Sequence, residues 1–433
     1  MQKVKYKVGK VFPALKSSNF RLYFAGQGIS LIGTWFASVA QQWLIYPTLT
    51  HNQSMLGIVS AVNLLPTALL ILIAGVYADK VNKRNFVIIL QALFAVISFA
   101  IAFLIFSGMI QIWHVLVASV IGGILFSFDM PTRTALVTDM VEKKDMASAI
   151  SLSSGMFNAA RAIGPAIAGV LIAVTGIAFA YVVDATSFVA VIISLFLLKI
   201  PPHVAQPHHG QSLKEGFAEG LSYIRSHTEI IFILLLVAVL TIATWPTAVL
   251  LPVFANDVYK QGEVGFGLLQ SVYGIGAMIG AFGFSVLFER IKHIYKFILV
   301  LTSILAGSYI LFALSPTFII ALLVYTVAGW GMATFYSACG IMLQMDVPNH
   351  LRGRITSFYS FMIFGSMPIA SIGTSLIVPY LHARNTSLFV PIGGALVTLL
   401  MIYLIERRSP GQLALKLNKL AGRKHPMDVT ELV

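Results

Sequence analysis

Charge is the scarcest commodity in this 433-residue chain: Asp, Glu, Lys and Arg make up only 10% of it. Soluble domains average about 25%, so water is excluded as the main solvent. Cysteine is nearly missing. Cys339 stands alone, which leaves no partner for an intramolecular disulfide and no zinc-ligand spacing. It reads as a small buried apolar residue. No Gly-x4-Gly-Lys-Ser/Thr run occurs, so direct coupling to ATP has no support. Alternating ten-residue patterns are absent too, which argues against a transmembrane β-barrel. No His, Ser and carboxylate set converges: His114 and His350 are expected at opposite membrane faces, so a membrane enzyme is disfavoured. His203, His208 and His209 lack nearby carboxylates or cysteines, so neither a metal nor a cofactor is expected. The basic start runs into a full-length apolar run without a small-residue cleavage pattern, so no cleavable signal peptide is expected.

Hydrophobic length, by contrast, is abundant. Of the residues, 58% are hydrophobic, and a bilayer core about 30 Å thick takes roughly 20 of them per helix. Twelve runs qualify, near 24–46, 54–78, 86–107, 112–138, 147–172, 176–198, 229–254, 265–288, 297–314, 317–341, 355–379 and 386–405. Backbone amides in lipid must bond within their own segment, so these runs predict an all-α membrane protein with twelve transmembrane helices.

The net charge of +13 could point to nucleic acid, but its placement does not. With the N-terminus inside, the segments on that side hold 25 of the 29 Lys and Arg residues. Lys260 and Arg384 fall in loops on the other side, and Arg133 and Arg161 within spans. This is the positive-inside bias. It predicts a multi-pass plasma-membrane protein with both termini cytoplasmic, and its basic arm at 1–21 near anionic lipid. Lipid, not nucleic acid, is the expected partner.

The runs fall into two sets of six. "KIPPHVAQPHHGQSLKEGFAEGLSYIRSHTE" (199–229) separates them. Its proline-rich first half reads as a linker. Ser212 and Glu215 form a capping pattern before Phe217, Leu221, Tyr223 and Ile224, which share one face of an amphipathic surface helix. The expected units are therefore 1–198, 199–228, 229–406 and a basic tail at 407–433. "VIGGILFSF" at 120–128 echoes "VAGWGMATF" at 327–335, "AISLSSGMF" at 149–157 echoes "RITSFYSFM" at 354–362, and "DKV" at 79–81 falls opposite "ERI" at 289–291. Repeats related along the membrane normal characterise transporters that hold substrate near midplane between the halves.

Within "GVYADKVNKRN" (75–85) an acid and three bases crowd together straight after a glycine. Gly75 would let another helix approach. Asp79 would gain from a neighbouring helix N-terminus, and Lys83 and Arg84 could pair with it or with lipid phosphate. Positive-inside bias explains the bases but not Asp79. The order Gly75, Asp79, Lys80, Lys83, Arg84 resembles the signature loop between helices two and three of the major facilitator superfamily. Asn82 replaces the usual glycine. "NFRLYFAGQGISLIGTWFASVAQQWLIY", "FDMPTRTALVTDMV" and "RGRITSFYS" extend the resemblance along the chain, to the exporter branch that contains macrolide-efflux and enterobactin-export proteins. The resemblance implies that Asp79 docks on the segment from Arg352 to Ser357 and latches the cytoplasmic side. "AARAIGPAIAG" (159–169), with Gly164, Pro165, Ala168 and Gly169, resembles the fifth-helix motif of superfamily antiporters, Ser151 and Ala160 standing where glycine is usual. An ordinary packing seam also accounts for these residues, and Gly276 and Gly280 supply an equivalent seam in the other half.

Ionisable groups inside spans are costly and usually functional. Asp129 and Arg133 are four apart on one face around Pro131, with Arg161 expected to reach the same cluster. Asp129 is either a proton-responsive group, since a buried carboxyl that gains and loses an arginine partner loads and releases a proton, or half of a static ion pair. Asp184 lies in the outer half of its span. Gln27, Trp35, Gln41, Trp245, Tyr336 and Tyr359 fall at mid-depth and would line a cavity suited to bulky amphipathic ligands. Trp43 and Tyr46 read as interfacial anchors.

These features predict a monomeric alternating-access transporter, not an enzyme. The resemblance implies efflux of bulky organic compounds in exchange for protons. A siderophore or metabolite exporter is the alternative within transport, and a non-transporting membrane sensor the alternative outside it.

Overall fold

The computed structural model describes residues 12–78, 81–199, 213–288, 291, 294–345 and 347–408. Among these residues there is no strand. The helices are α1 (Ser18–Trp43), α2 (Gln53–Ala78), α3 (Lys83–Phe106), α4 (Ile112–Asp139), α5 (Met146–Thr175), α6 (Ile177–Phe196), α7 (Leu213–Ser226), α8 (Thr228–Val249), α9 (Gly262–Leu287), α10 (Ile294–Leu314), α11 (Phe318–Met345) and α12 (Asn349–Arg408). Ten spans are long and apolar enough to cross a bilayer, and one of them, Leu351–Ile405, has twice the usual length. It is two antiparallel arms, 349–381 and 383–408, joined at His382, whose φ of 57° breaks the helix. Helix α1 is not among the ten because Gln27, Ser30, Thr34, Ser38, Gln41 and Gln42 dilute its hydropathy. All twelve apolar runs thus lie in helices.

Local chemistry sets the helix ends. The Ser17 hydroxyl accepts from the Phe20 amide at 3.2 Å to start α1, and the Asn82 side chain accepts from Asn85 at 3.1 Å to start α3. Both are N-caps. This is why asparagine serves in the loop where glycine is usual: Asn82 has a φ of −67° and caps a helix. Gly176, with φ of 85°, reverses the chain between α5 and α6 in a single residue, a conformation that penalises any side chain.

The helices pack mainly as two groups. Helix α1 lies against α5 and α6, α2 against α4, and α3 against α4 and α6; in the second group α8 packs on α12, α9 on α11, and α10 on α11 and α12. The groups meet along α5 with α9 and α2 with α12. By the offset of the repeat, α9 is the counterpart of α2 and the first arm of α12 that of α5, so the two seams are exchanged by the twofold. Finer detail repeats too. A methyl group at Gly123 of α4 would collide with the Asn63 carbonyl of α2, and one at Gly329 of α11 with the Tyr273 carbonyl of α9. Helices α1 and α8 each lead into a π-helical turn, Leu44–Thr50 and Phe254–Val258, followed by left-handed residues His51 (φ 49°) and Lys260 (φ 56°). Such turns recur at functional sites.

Large apolar residues cover the outside. Phe103 and Leu323 are more than 60% exposed, and a continuous apolar belt of this kind needs lipid. Helix α7 lies against α12: Arg354 donates to Glu219, Gly220 faces Phe358, and Ile224 is buried. The capping pair Ser212 and Glu215, the Phe217 side chain, the linker histidines, the 407–433 tail beyond Arg408, and the "DK" and "ER" of the repeated loops lie outside what is described.

Candidate functional site

The two helix sets enclose a cavity of about 450 Å³, within the range of small-molecule sites. Helix α1 contributes Trp35 and Gln41, α5 Arg161, α8 Trp245, α9 Tyr273 and α11 Tyr336. Sequence placed four of its six mid-depth candidates on this wall. Gln41 donates to Ser119 Oγ at 2.7 Å, the Trp245 indole to Ser371 Oγ at 2.9 Å, and Tyr336 shares a 2.9 Å hydrogen bond with Thr241. The other two are elsewhere. Gln27 is buried with Oε1 unpartnered among the described residues, on the helix that packs against α6. Tyr359 donates to the Tyr336 carbonyl at 2.7 Å, so it braces a wall residue from behind. Sequence reading missed Asn63, Gln270, Tyr273, Tyr309 and Tyr325, all of which line the cavity. Tyr273 and Tyr325 pack with ring centroids 4.9 Å apart and ring planes tilted by 38°.

Residues 12–19, 139–148 and 195–199 gather at one end of the bundle, since Ser17 donates to Met140 O and Asn19 to Lys199 O. At the opposite, distal end the helix sets are tied together. Tyr46 donates to Asp257, the Trp43 indole to Glu263 at 3.1 Å, and Trp43 stacks on Phe266 at 5.8 Å. Ser54 donates to the Ser375 carbonyl at 2.9 Å. Trp43 and Tyr46 are therefore not interfacial anchors. They are 4% and 5% exposed and join opposite sets, because α1 turns them inward toward two carboxylates.

The fifth-helix motif lies on the seam. A methyl at Gly164 would sit 2.8 Å from Trp35 Cβ, and one at Gly169 2.5 Å from the Glu263 carbonyl. Just beyond Pro165, the Ala166 amide donates across to Ser271 Oγ at 2.8 Å. Gly276 and Gly280 admit α11 in the same way, but within their own set.

Intramembrane charges separate into three environments. Asp129 is fully buried; Gln91 donates to it at 2.8 Å and Arg133 forms an ion pair with it. Arg161 does not reach this cluster. Its side chain points from α5 into the cavity, with its guanidinium carbon 5.4 Å from the centre of the Tyr273 ring. Asp184 takes a 2.6 Å hydrogen bond from Ser98, and its other oxygen has no partner among the described residues.

In the signature loop, Asp79 and Lys80 lie outside the described residues. Lys83 pairs instead with Asp139 at 2.8 Å, and Arg84 donates to the carbonyls of Leu195 and Phe196, each at 2.7 Å. Both bases thus fasten helix ends, which leaves neither to lipid phosphate. A methyl at Gly75 would meet nothing within 4 Å, so no close helix approach explains that glycine. Arg354, in the segment expected to receive the latch, pairs with Glu219.

Residues 10–419 match the family model described as transmembrane secretion effector, of the major facilitator superfamily. The chain belongs to this family. Among relatives, it is 26% identical to the staphyloferrin A transporter of Staphylococcus aureus over 90% of this chain and 96% of that one. It is 26% identical to the multidrug efflux pump Tap of Mycolicibacterium fortuitum over 85% and 90%, and 22% identical to macrolide efflux protein A of Streptococcus pyogenes over 83% and 90%. In fold it resembles a bacterial homologue of the lysosomal transporter Spinster (TM-score 0.68, 13% identity, 95% of this chain and 98% of that one). A bacterial homologue of ferroportin in its inward-facing state is equally similar (TM-score 0.68, 15% identity, 94% and 99%). As a major facilitator protein the chain is a multi-pass, all-α membrane transporter and not an enzyme.

Proposed function

We propose that this transporter exports a bulky organic compound across a bacterial inner membrane in exchange for protons, acting as a lipid-embedded monomer with both termini cytoplasmic. The cavity between the helix sets carries the reading. It is walled by aromatic faces and side-chain amides, the mixture that suits large amphipathic compounds. It also sits just below the distal ties made by Trp43 and Tyr46, so undoing those ties would open it to the other side. The relatives named for multidrug and macrolide efflux support export of drug-like molecules. The relative named for staphyloferrin A supports the second reading, a siderophore or metabolite exporter.

Proton exchange would use a buried acid. Asp129 is the first candidate, because it is buried and bonded both to Arg133 on its own helix and to Gln91 of α3, and a change in either contact as helices shift would alter its hold on a proton. Asp184 is the second. The loop acid Asp79 would latch the cytoplasmic side by docking near Arg352 to Ser357. The test is transport by the full-length protein in proteoliposomes under an imposed pH gradient, with macrolides, cationic dyes and catecholate siderophores offered in turn. Uphill movement of one class, with proton flux in the opposite sense, is expected. Downhill movement alone, or movement indifferent to the gradient, would overturn proton exchange.

A further inference from the structure

We propose that Arg161 is an anion-binding residue of the cavity, and that the transported compound is an organic anion whose carboxylate or comparable oxyanion seats on its guanidinium. The proposal rests on the transporter reading above and narrows its substrate class.

The cavity holds a single kind of charge. Arg161 lines it, and among the described residues no aspartate or glutamate does. Acids on the spans and distal turns have contacts of their own: Asp129 with Arg133 and Gln91, Asp184 with Ser98, Asp257 with Tyr46, and Glu263 with Trp43. Six of the other described arginines have oxygen acceptors. Arg21, Arg84, Arg133, Arg352, Arg354 and Arg384 each donate to a carbonyl or carboxylate. Among the described residues Arg161 has neither a hydrogen bond nor an ion pair, only the face of Tyr273. An ionised group at membrane depth is expensive unless something satisfies it, and guanidinium is never neutral in a protein. Its planar fork of N–H donors matches an oxyanion with two parallel hydrogen bonds. The tyrosine face holds the fork in place without occupying those donors.

The rest of the wall fits the remainder of such a molecule. Trp35, Trp245 and Tyr336 offer flat apolar surface, while Asn63 and Gln270 offer neutral hydrogen-bonding groups. A cationic compound would meet an unscreened like charge in a low-dielectric site. Arg161 is also clamped at the seam between the helix sets: a methyl at Gly274 of α9 would come within 2.7 Å of its carbonyl oxygen. An anion bound there touches both sets at once, since Arg161 comes from α5 and Tyr273 from α9.

The experiment compares two dyes that share a xanthene ring but carry opposite charge, fluorescein and rhodamine 123, binding at equilibrium to the full-length protein in nanodiscs at pH 8, followed by dye anisotropy. Fluorescein should bind at least tenfold more tightly than rhodamine 123. Arg161→Gln should weaken fluorescein at least tenfold and leave rhodamine 123 unchanged or improved, while Arg161→Lys should retain part of the preference. Equal binding of the two dyes by the unaltered protein would overturn the proposal, as would absence of fluorescein binding or an unchanged ratio in a folded Arg161→Gln. If Arg161→Gln does not fold, the two-dye comparison decides alone. No gradient is involved, so failure of uphill transport in proteoliposomes is a separate result that concerns the transporter reading.

Discussion

Tyr46, just beyond α1, donates a hydrogen bond from its hydroxyl to Asp257, beyond α8, so one hydrogen bond joins the two helix sets at the distal end. Both residues lie on π-helical turns, and the turns begin at Leu44 and Phe254. A hydrogen bond to a charged acceptor contributes about 1.5–3 kcal/mol, and each 1.4 kcal/mol is roughly a tenfold change in population. Tyr46→Phe should therefore raise distal opening about tenfold or more. A cysteine at Ser54, which now bonds to Ser375 across the same seam, should react with a maleimide correspondingly faster; the native Cys339 is fully buried and adds little background. An unchanged labelling rate would show that the bond does not hold this end closed.

Asp129 and Arg133 are a buried pair, so removing one partner strands the other. The cost is typically about 3–5 kcal/mol. Asp129→Asn should lower the thermal unfolding temperature measurably, and Asp129→Asn with Arg133→Gln should regain much of it. If Asp129 also carries the exchanged proton, efflux by Asp129→Asn should lose its response to an imposed pH gradient. Full gradient-driven efflux in the folded variant would reduce the residue to a structural tie.

Asp184 predicts the opposite stability result. No cation is left unpaired when it is neutralised, because its hydrogen-bond partner is the Ser98 hydroxyl. Asp184→Asn should unfold within about 1 kcal/mol of the parent, the scale of one neutral hydrogen bond. Loss of pH-driven efflux in this stable variant, with Asp129→Asn still coupled, would assign the proton to Asp184. A large stability loss would contradict the geometry.

Gly169 and Gly75 provide a matched pair. At Gly169 an added methyl meets the Glu263 carbonyl at 2.5 Å, and at Gly75 it meets nothing. Gly169→Ala should push α5 from α9, cost about 1–3 kcal/mol as overpacking does, and slow transport. Gly75→Ala should leave stability unchanged or raised by the better helix propensity of alanine. Thermal unfolding of both variants in one detergent checks the contrast, and similar losses at both sites would refute the packing account.

Much of the architecture was legible in the linear pattern. Helix positions follow from run length because lipid offers the backbone no other hydrogen-bond partner. The family motifs follow from glycine, proline and charge at fixed spacing, and the half-repeat from matching stretches such as those at 120–128 and 327–335. Four of the six cavity candidates reached the cavity because bulky polar groups at mid-depth have few other places to be.

What only the tertiary structure decided is which face of each helix meets which neighbour. A span is apolar all round, so tryptophan beside lipid and tryptophan beside another helix look alike in sequence. Trp43 and Tyr46 therefore look like anchors in sequence, yet they close the distal end. Tyr273, Tyr309 and Tyr325 could not be told from core residues. Side-chain reach raised the same problem for charge. Asp129 and Arg133 share a helix, so their pairing follows from spacing, but Arg161 and Lys83 sit on other helices and found Tyr273 and Asp139. The sequence by itself determined the helices, their number and the charges they carry, because bilayer physics acts on each segment alone. The tertiary structure decided the cavity and the setting of Arg161, which has no acid partner among the described residues, because those depend on how segments far apart in the chain are rotated against one another.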